Sequence, residues 1–159
     1  MLLKQPDVCI NAMSGTVPPL WAACRAGSLA TVQSLLTKKS IQVNQKAPTG
    51  TSPLHVAVIN QRSDIVSLLL SQEGIAVNDV GPFGFSALMF AAVNGYTACV
   101  GRLVHHPSID LMVKDTDGYC AFRLAVLNGH VRSMNLLRSA LVRQMIRELD
   151  SPEVWPQLE

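Results

Sequence analysis

The residues of this 159-residue chain that could bind a metal ion or act in catalysis are four cysteines and four histidines. Zinc and redox sites take cysteines at short spacings, and no Cys-x-x-Cys pair occurs among Cys9, Cys24, Cys99 and Cys120. His105 and His106 adjoin a proline and have no cysteine or carboxylate partner at metal-ligand spacing. Glycine-rich phosphate loops are absent as well. We therefore expect no catalytic residue, no metal, no cofactor and no small-molecule substrate.

The elements that position these residues repeat along the chain. Residues 50–57 read Gly-Thr-Ser-Pro-Leu-His-Val-Ala, and steps of 34 residues in either direction reach variants of the same pattern. The variants begin at Thr16, Gly84 and Gly118. Four copies in register indicate a protein built from one repeated supersecondary unit.

Each unit has the pattern of two short helices joined by a turn. In the second unit, Ser52 is suited to cap a helix, and Pro53 to occupy its first position, where the missing N–H costs nothing. The helix should end at Gln61, which is therefore expected at positive φ, because its counterparts are the glycines Gly27, Gly95 and Gly129. A second helix follows, with apolar residues at helical spacing: Ile65, Val66, Leu69 and Leu70.

This register gives the cysteines and one histidine structural roles. Cys24 and Cys99 align with apolar residues of the other units, so both are expected in the core. Cys120 replaces the capping serine, and His130 is the first residue after the inter-helix turn. A disulfide or metal role for them is the weaker interpretation.

A helix pair this small cannot bury its own apolar face, so neighbouring units must stack to form a continuous core. The pattern resembles the ankyrin repeat, whose signature Thr-Pro-Leu-His-x-Ala is matched in the second unit with Ser52 in place of Thr. The Val-Asn pair of that family is matched at 43–44 and 77–78, while Leu111 and Met112 depart from it. The resemblance covers about residues 16–140. It implies an all-α solenoid with short β-hairpin or loop fingers, in which His55 has a structural role.

The domain boundaries follow from the repeat. Residues 1–15 are expected to be an N-terminal extension or cap, and residues 16–140 the repeat domain, with units at about 16–49, 50–83, 84–117 and 118–140. The first unit has Pro18 and Trp21 at polar signature positions, which is typical of a terminal repeat. The last helix should continue to about 18 residues before Asp150, Ser151 and Pro152 stop it, and residues 141–159 form this extension and a tail.

The resemblance also implies where a partner would bind, because ankyrin-type solenoids use their finger tips and the inner face of the first helices. Phe83, Phe85 and Tyr119 would form an aromatic cluster on adjacent fingers, above a ladder of Ile59, Val93 and Leu127. Thr51 and Lys114 complete the expected contact set. Aromatic residues in a polar rim are the usual composition of a binding hot spot. The alternative is that these side chains pack inside the fold.

Charge and hydropathy exclude other partner classes. Thirteen Lys and Arg against eleven Asp and Glu give a net charge of +2, too small to indicate nucleic acid or an acidic membrane. No stretch has the length and apolar content of a signal peptide or membrane span. We expect a cytoplasmic protein, or one in the host cytosol or nucleus if it is a delivered effector.

Two functions of different classes fit these features. The first is a non-catalytic adaptor or inhibitor that binds a segment of another protein in its concave groove. A pathogen effector that acts in the host cytosol would be one protein of this kind. The second is a substrate receptor of a larger enzyme complex such as a ubiquitin ligase, docked through the last helix by Leu141, Met145 and Leu149. That helix is faintly similar to the start of a SOCS box, in which Cys stands where this chain has Met145. The simpler interpretation of the helix is a cap that closes the core. A third possibility for the protein is weak self-association through exposed apolar surface.

Overall fold

The structure is a computed structural model that describes residue 11 and residues 17–149. This part of the chain contains eight α-helices in four consecutive pairs. Their bounds are α1 Pro19–Ala26, α2 Leu29–Leu36, α3 Pro53–Ile59, α4 Ser63–Leu70, α5 Ala87–Val93, α6 Thr97–Leu103, α7 Ala121–Leu127 and α8 Val131–Leu149. No helix of the described residues combines the length and apolar content that a membrane span requires.

Capping serines begin two of the first helices, and residues with positive φ follow the first helices, as the sequence predicts. The Ser52 hydroxyl accepts from the backbone N–H of His55 and so caps α3, and Ser86 caps α5 in the same way through Met89. Cys120 makes no side-chain capping bond to α7. After the first helices, Gly27, Gly95 and Gly129 have φ of 76°, 69° and 70°, and Gln61 has φ of 56°, which confirms the expected positive φ of Gln61.

The pairs stack into two rows of helices. The first helices of the pairs, α1, α3, α5 and α7, pack in sequence, and the second helices, α2, α4, α6 and α8, form the other row. One contiguous core runs between the rows. The first helices, called inner helices below, supply small residues that let neighbouring helices approach, such as Ala57, Ala91 and Ala125. Cys24 and Cys99 are buried in this core, as expected. The all-helical repeat solenoid predicted from the sequence is therefore confirmed.

The fingers between the helix pairs are short loops. In the described part of the chain, one isolated β-bridge occurs, between Val80 and Ser86. Each finger closes through the same backbone bond, from Ala47 to Thr51, from Gly81 to Phe85 and from Asp115 to Tyr119. We number them fingers 1, 2 and 3, comprising residues 47–51, 81–85 and 115–119. They differ at the tip, which is Thr49, Phe83 or Asp117, and in the backbone, because finger 2 has positive φ at both Phe83 and Gly84, whereas fingers 1 and 3 have it at Gly50 and Gly118.

Asparagines join successive units below the fingers. Asn44 donates to the Gly74 carbonyl at 2.7 Å and accepts from the Ala76 N–H at 2.9 Å. Asn78 repeats this arrangement with Ser108 and Asp110, at 2.7 and 2.8 Å. These paired bonds give a physical role to the Val-Asn pairs that the sequence analysis matched.

Asn11 makes the same two bonds one unit earlier, to the Ser40 carbonyl at 2.6 Å and from the Gln42 N–H at 2.8 Å. This contact was not predicted from the sequence, although Ile10 and Asn11 stand 33 residues before Val43 and Asn44. Asn11 is therefore hydrogen-bonded to the loop at the end of the first unit.

The last helix differs from the other second helices in length. With 19 residues, α8 confirms the predicted extension to about 18. Its first half buries Ser133, Leu137 and Ala140 against the stack. The predicted stop at Asp150, Ser151 and Pro152, and the tail after it, lie outside the described residues.

Candidate functional site

Finger 2 presents the most exposed large apolar side chain among the described residues. Phe83 is 76% exposed at the finger tip, with φ of 60°. A positive φ is uncommon for a bulky side chain, because its Cβ then crowds the backbone. The Phe83 carbonyl accepts bonds at 3.2 Å from both the N–H and the hydroxyl of Thr116 on finger 3. Finger 3 therefore helps to hold the strained backbone in place.

Phe85, two residues later, is turned inward. Its ring packs edge to face on Phe90, with centroids 5.3 Å apart and an interplanar angle of 70°. Its carbonyl oxygen accepts a 3.0 Å bond from Nε2 of His55, whose Nδ1 faces the backbone N–H and hydroxyl of Ser52. Most of Phe85 thus belongs to the packing between the second and third units.

His55 links α3 to finger 2 and is itself buried. Burial lowers its pKa below the usual 6.5, because the low-polarity surroundings disfavour the charged imidazolium. The bond to the Phe85 carbonyl acts in the opposite direction, and so does the charge of Asp79. His55 is therefore a structural residue, as the resemblance implied.

The structure separates the three aromatic residues that were expected to form one cluster. Tyr119 is half-buried on finger 3 and lies under the guanidinium of Arg123, 4.9 Å from the ring centroid. In the described part of the chain, no ring contact joins Phe83, Phe85 and Tyr119 to one another. The expected cluster is thus corrected to one exposed ring, Phe83, whereas Phe85 contacts Phe90 and Tyr119 contacts Arg123.

The apolar ladder occupies the ends of three inner helices. Ile59, Val93 and Leu127 are the last residues of α3, α5 and α7. Ile59 is 39% exposed and Leu127 is 60% exposed, while Val93 is half-buried and packs against the core. Two of the three therefore offer apolar surface to a partner.

Thr51 needs a correction. It is 7% exposed, and its hydroxyl oxygen accepts a 3.0 Å bond from the indole N–H of Trp21. Trp21 stands in the first unit where His55 stands in the second, and both side chains join a first helix to the following finger. Thr51 is thus part of the link between units, with little surface left for a partner.

Lys114 is exposed on the approach to finger 3, where the sequence placed it. Its counterpart Lys46 forms an ion pair with Asp79 at 2.8 Å and donates to the Val80 carbonyl at 2.9 Å. Within residues 17–149, Lys114 has no such ion pair. Its ammonium group is therefore the freer of the two to meet a partner.

The last helix carries exposed apolar residues that the sequence analysis did not identify. Val142 and Ile146 are exposed together with the expected Met145 and Leu149, whereas Leu141 is half-buried and packs on the core. These four exposed residues, at intervals of three and four, lie on one side of α8. The predicted ridge of Leu141, Met145 and Leu149 is thus corrected to this outer stripe.

The groups with metal-binding or nucleophilic potential are dispersed. In the described part of the chain, no group of three or more His, Cys, Asp or Glu side chains is placed to share a metal ion. Cys24, Cys99 and Cys120 are free thiols, and the buried Cys24 has its pKa raised to about 12 by loss of hydration. His130 Nε2 faces the Val93 carbonyl at 3.0 Å and so joins the fourth unit to the third.

Stacked helix pairs with projecting fingers define a helical-repeat protein, a class in which each unit contacts its neighbours and exposes an extended surface. Residues 2–81 match the family model described as ankyrin repeats in three copies, and residues 83–116 match the model for a single ankyrin repeat. The chain belongs to the ankyrin-repeat family. This family typically forms non-catalytic domains that bind other proteins. A search of curated proteins found no match.

Proposed function

We propose that the protein is a non-catalytic adaptor or inhibitor that binds a segment of a partner protein across its fingers and inner helices, with Phe83 as the anchor. The observation that carries the proposal is that Phe83 combines 76% exposure with a positive φ. Neither feature helps the isolated fold, since the ring buries little surface and the backbone is strained. Strain of this kind concentrates at functional sites.

The surroundings of Phe83 suit a binding hot spot. Lys114 and the finger 3 residues Thr116 and Asp117 supply polar groups, and Leu127 and Ile59 add apolar surface on the inner helices. Burying a phenyl ring in a partner contributes about 2–3 kcal/mol from its hydrophobic transfer alone. An extended or helical segment with an apolar side chain for Phe83 and an acidic one for Lys114 is the expected ligand.

A charged substitution at the finger tip tests this proposal. Phe83→Asp should abolish capture of the partner from cell lysate, because a carboxylate cannot enter an apolar pocket without a large desolvation cost. Met112→Asp is the matched control, since Met112 is also exposed and apolar but lies outside the proposed surface. A protein captured by the wild type and by Met112→Asp but lost from Phe83→Asp supports the proposal. Equal capture by all three proteins would contradict it.

A second candidate is a substrate receptor of a larger complex, such as a ubiquitin ligase, docked through the outer stripe of α8. The observation that favours it is that Val142, Met145, Ile146 and Leu149 are all exposed on this side. Ile146→Asp would then prevent assembly with the scaffold while the helical fold remains, as judged by circular dichroism. If Ile146→Asp removes a concentration-dependent mass in ultracentrifugation instead, the stripe serves self-association.

We also propose that the protein acts in the cytoplasm, or in the host cytosol or nucleus if it is a delivered effector. The free thiols Cys24, Cys99 and Cys120 suit a reducing compartment. A fluorescent fusion located by microscopy tests this, and residence in an oxidising compartment would contradict it.

A further inference from the structure

Along one side of α8, the side chains of the first half of the helix differ from those of the second half. Ser133, Leu137 and Ala140 form its buried seam, and the next positions of that seam, at intervals of four and three, are Gln144 and Arg147. The seam is therefore buried against the stack as far as Ala140, and after it carries the long polar side chains of Gln144 and Arg147. The apolar residues of the second half lie on the outer stripe instead.

The polar half of the seam faces a groove of about 500 Å³ between α8 and residues 104–111, the loop that follows α6. Val104, Leu111 and Ala140 form its apolar floor. Arg143 and Arg147 line it from α8, and His105 and His106 line it from the loop. Two arginines and two histidines thus line one cavity, and no finger residue lines it.

This cavity has an excess of positive charge. In the described part of the chain, neither Arg143 nor Arg147 forms an ion pair. Glu148, the acidic residue that lines the groove, accepts a bond at 3.2 Å from the Gln144 side chain. Overall, α8 contains four arginines and one glutamate, a net charge of +3, whereas the whole chain has +2. The groove is therefore electrostatically complementary to an acidic ligand.

The histidine side of the groove supplies a further donor. The ring Nδ1 of His106 accepts from the backbone N–H of Ser108 at 3.3 Å, so the hydrogen of the neutral ring is on Nε2. The Nδ1 of His105 is 2.6 Å from the Gly101 carbonyl and donates to it, which fixes the orientation of that ring. His106 can thus donate to an anion that the arginines hold.

We propose that this groove binds an acidic segment of a partner protein in extended conformation. Arg143 and Arg147 are one turn apart and rise about 6 Å along the helix. Alternate side chains of an extended peptide lie on one side, about 6.5–7 Å apart. Carboxylates at alternate positions of such a peptide can therefore each meet one guanidinium, as charge-assisted hydrogen bonds require. An open groove with two separated arginines suits a row of carboxylates better than one phosphate.

Fluorescence anisotropy with a labelled peptide, Gly-Glu-Ser-Glu-Ser-Glu-Gly, tests this site on the full chain. The double variant Arg143→Gln with Arg147→Gln should raise the Kd about tenfold or more, because two charge-assisted contacts are lost. The matched control is Arg132→Gln with Arg138→Gln, which removes the same charge from the same helix outside the groove and should change the Kd by less than about twofold. Replacing every Glu of the peptide by Gln should abolish binding.

Several outcomes would overturn the proposal. Equal weakening by both double variants would show that the overall charge of α8 attracts the peptide, without a site. No binding to the wild type, or equal binding of the Gln peptide, would also overturn it. If a peptide with one phosphoserine bound more tightly, and inorganic phosphate displaced it, the group recognised by the groove would be phosphate instead of carboxylate. Equal binding of a labelled oligouridine would indicate a general polyanion surface.

Thermal melting of each variant controls for folding. If the groove double variant unfolds, His106→Ala is the second groove variant, and it should raise the Kd about threefold through loss of one donor. Phe83→Asp should leave this peptide affinity unchanged, since finger 2 lies apart from the groove. The groove proposal and the finger proposal can therefore fail separately.

Discussion

The second and fourth units are built from the same 34-residue pattern and have different surroundings. In the second unit, all residues from 51 to 58 are buried, α3 is capped by Ser52, and His55 reaches finger 2. In the fourth, α7 lacks a side-chain capping bond and Leu127 is 60% exposed. The comparison shows that burial in a stack depends on neighbours as much as on the residue itself.

The polar contacts between successive units also differ along the stack. His55, Asn44 and Asn78 each bond to the next unit, whereas the equivalent position of the third unit holds Met112, which is exposed, because residues 142 and 144, at the spacing of the Asn78 partners, lie within α8. The structure thus uses polar signature residues as connections between units. Where a unit has no such connection to make, an apolar residue takes the place.

The largest effect should come from breaking the link that the second unit has and the fourth lacks. His55→Met should lower the free energy of unfolding by about 3 kcal/mol, because the Phe85 carbonyl loses its donor and the cap is weakened. Met89 is tolerated in the third unit since Asp115 closes finger 3 through bonds to the N–H groups of Asp117 and Tyr119. Urea denaturation measures the loss, and a change below about 0.5 kcal/mol would contradict a structural role for this link.

The packing difference between the two units should give the next largest effect. Val58 and Val126 are equivalent positions, at 0% and 46% exposure. Val58→Ala should therefore cost about 2 kcal/mol of stability, and Val126→Ala about 0.5 kcal/mol. Denaturation of the two variants side by side measures this. Similar losses would mean that the end of the stack is covered in solution.

A smaller effect, of opposite sign, is expected at the turn of the second unit. Gln61 has φ of 56° where the fourth unit has Gly129. Gln61→Gly should raise stability by about 1 kcal/mol, because glycine adopts this conformation without strain. The midpoint of thermal unfolding measures it, and a lower midpoint would count against the alignment of the units.

The smallest effect is the pH dependence that the buried histidine gives to the second unit. The pKa of His55 is lowered from 6.5 by burial, so the unfolded chain takes up its proton first as the pH falls. This contribution to stability is complete above pH 6.5 and is lost as the pH falls toward the lowered value. The wild type should therefore lose stability relative to His55→Met across this window. Parallel curves for the two proteins would contradict it.

Much of the fold could be predicted because its signals are local. The caps at Ser52 and Ser86, the positive φ of Gln61 and the buried Cys24 depend on spacing within one unit. The hydrogen bonds between units were harder to predict, because the Trp21–Thr51 bond joins two residues whose types do not match the family pattern. The roles of Phe83 and Phe85 depend on the backbone of the finger, which turns one ring outward and the other onto Phe90.

The last helix shows a further limit of sequence reasoning. Residues at strict intervals of four advance by about 40° around an α-helix at each step. The run Leu137, Leu141, Met145, Leu149 therefore passes from the buried seam to the outer stripe, and it was wrong to treat it as one face. The groove beside α8 was not predicted at all, because it depends on where the loop after α6 lies.

The most direct test of the central claim compares the two residues other than glycine that have positive φ in the described part of the chain, Gln61 and Phe83. Phe83→Gly and Gln61→Gly should each raise stability by about 1 kcal/mol through relief of the same strain. In quantitative capture from lysate, we predict that Phe83→Gly alone loses the partner, so that its gain in stability accompanies a loss of function. Retention of every captured protein by Phe83→Gly would contradict the assignment of finger 2 as the binding site.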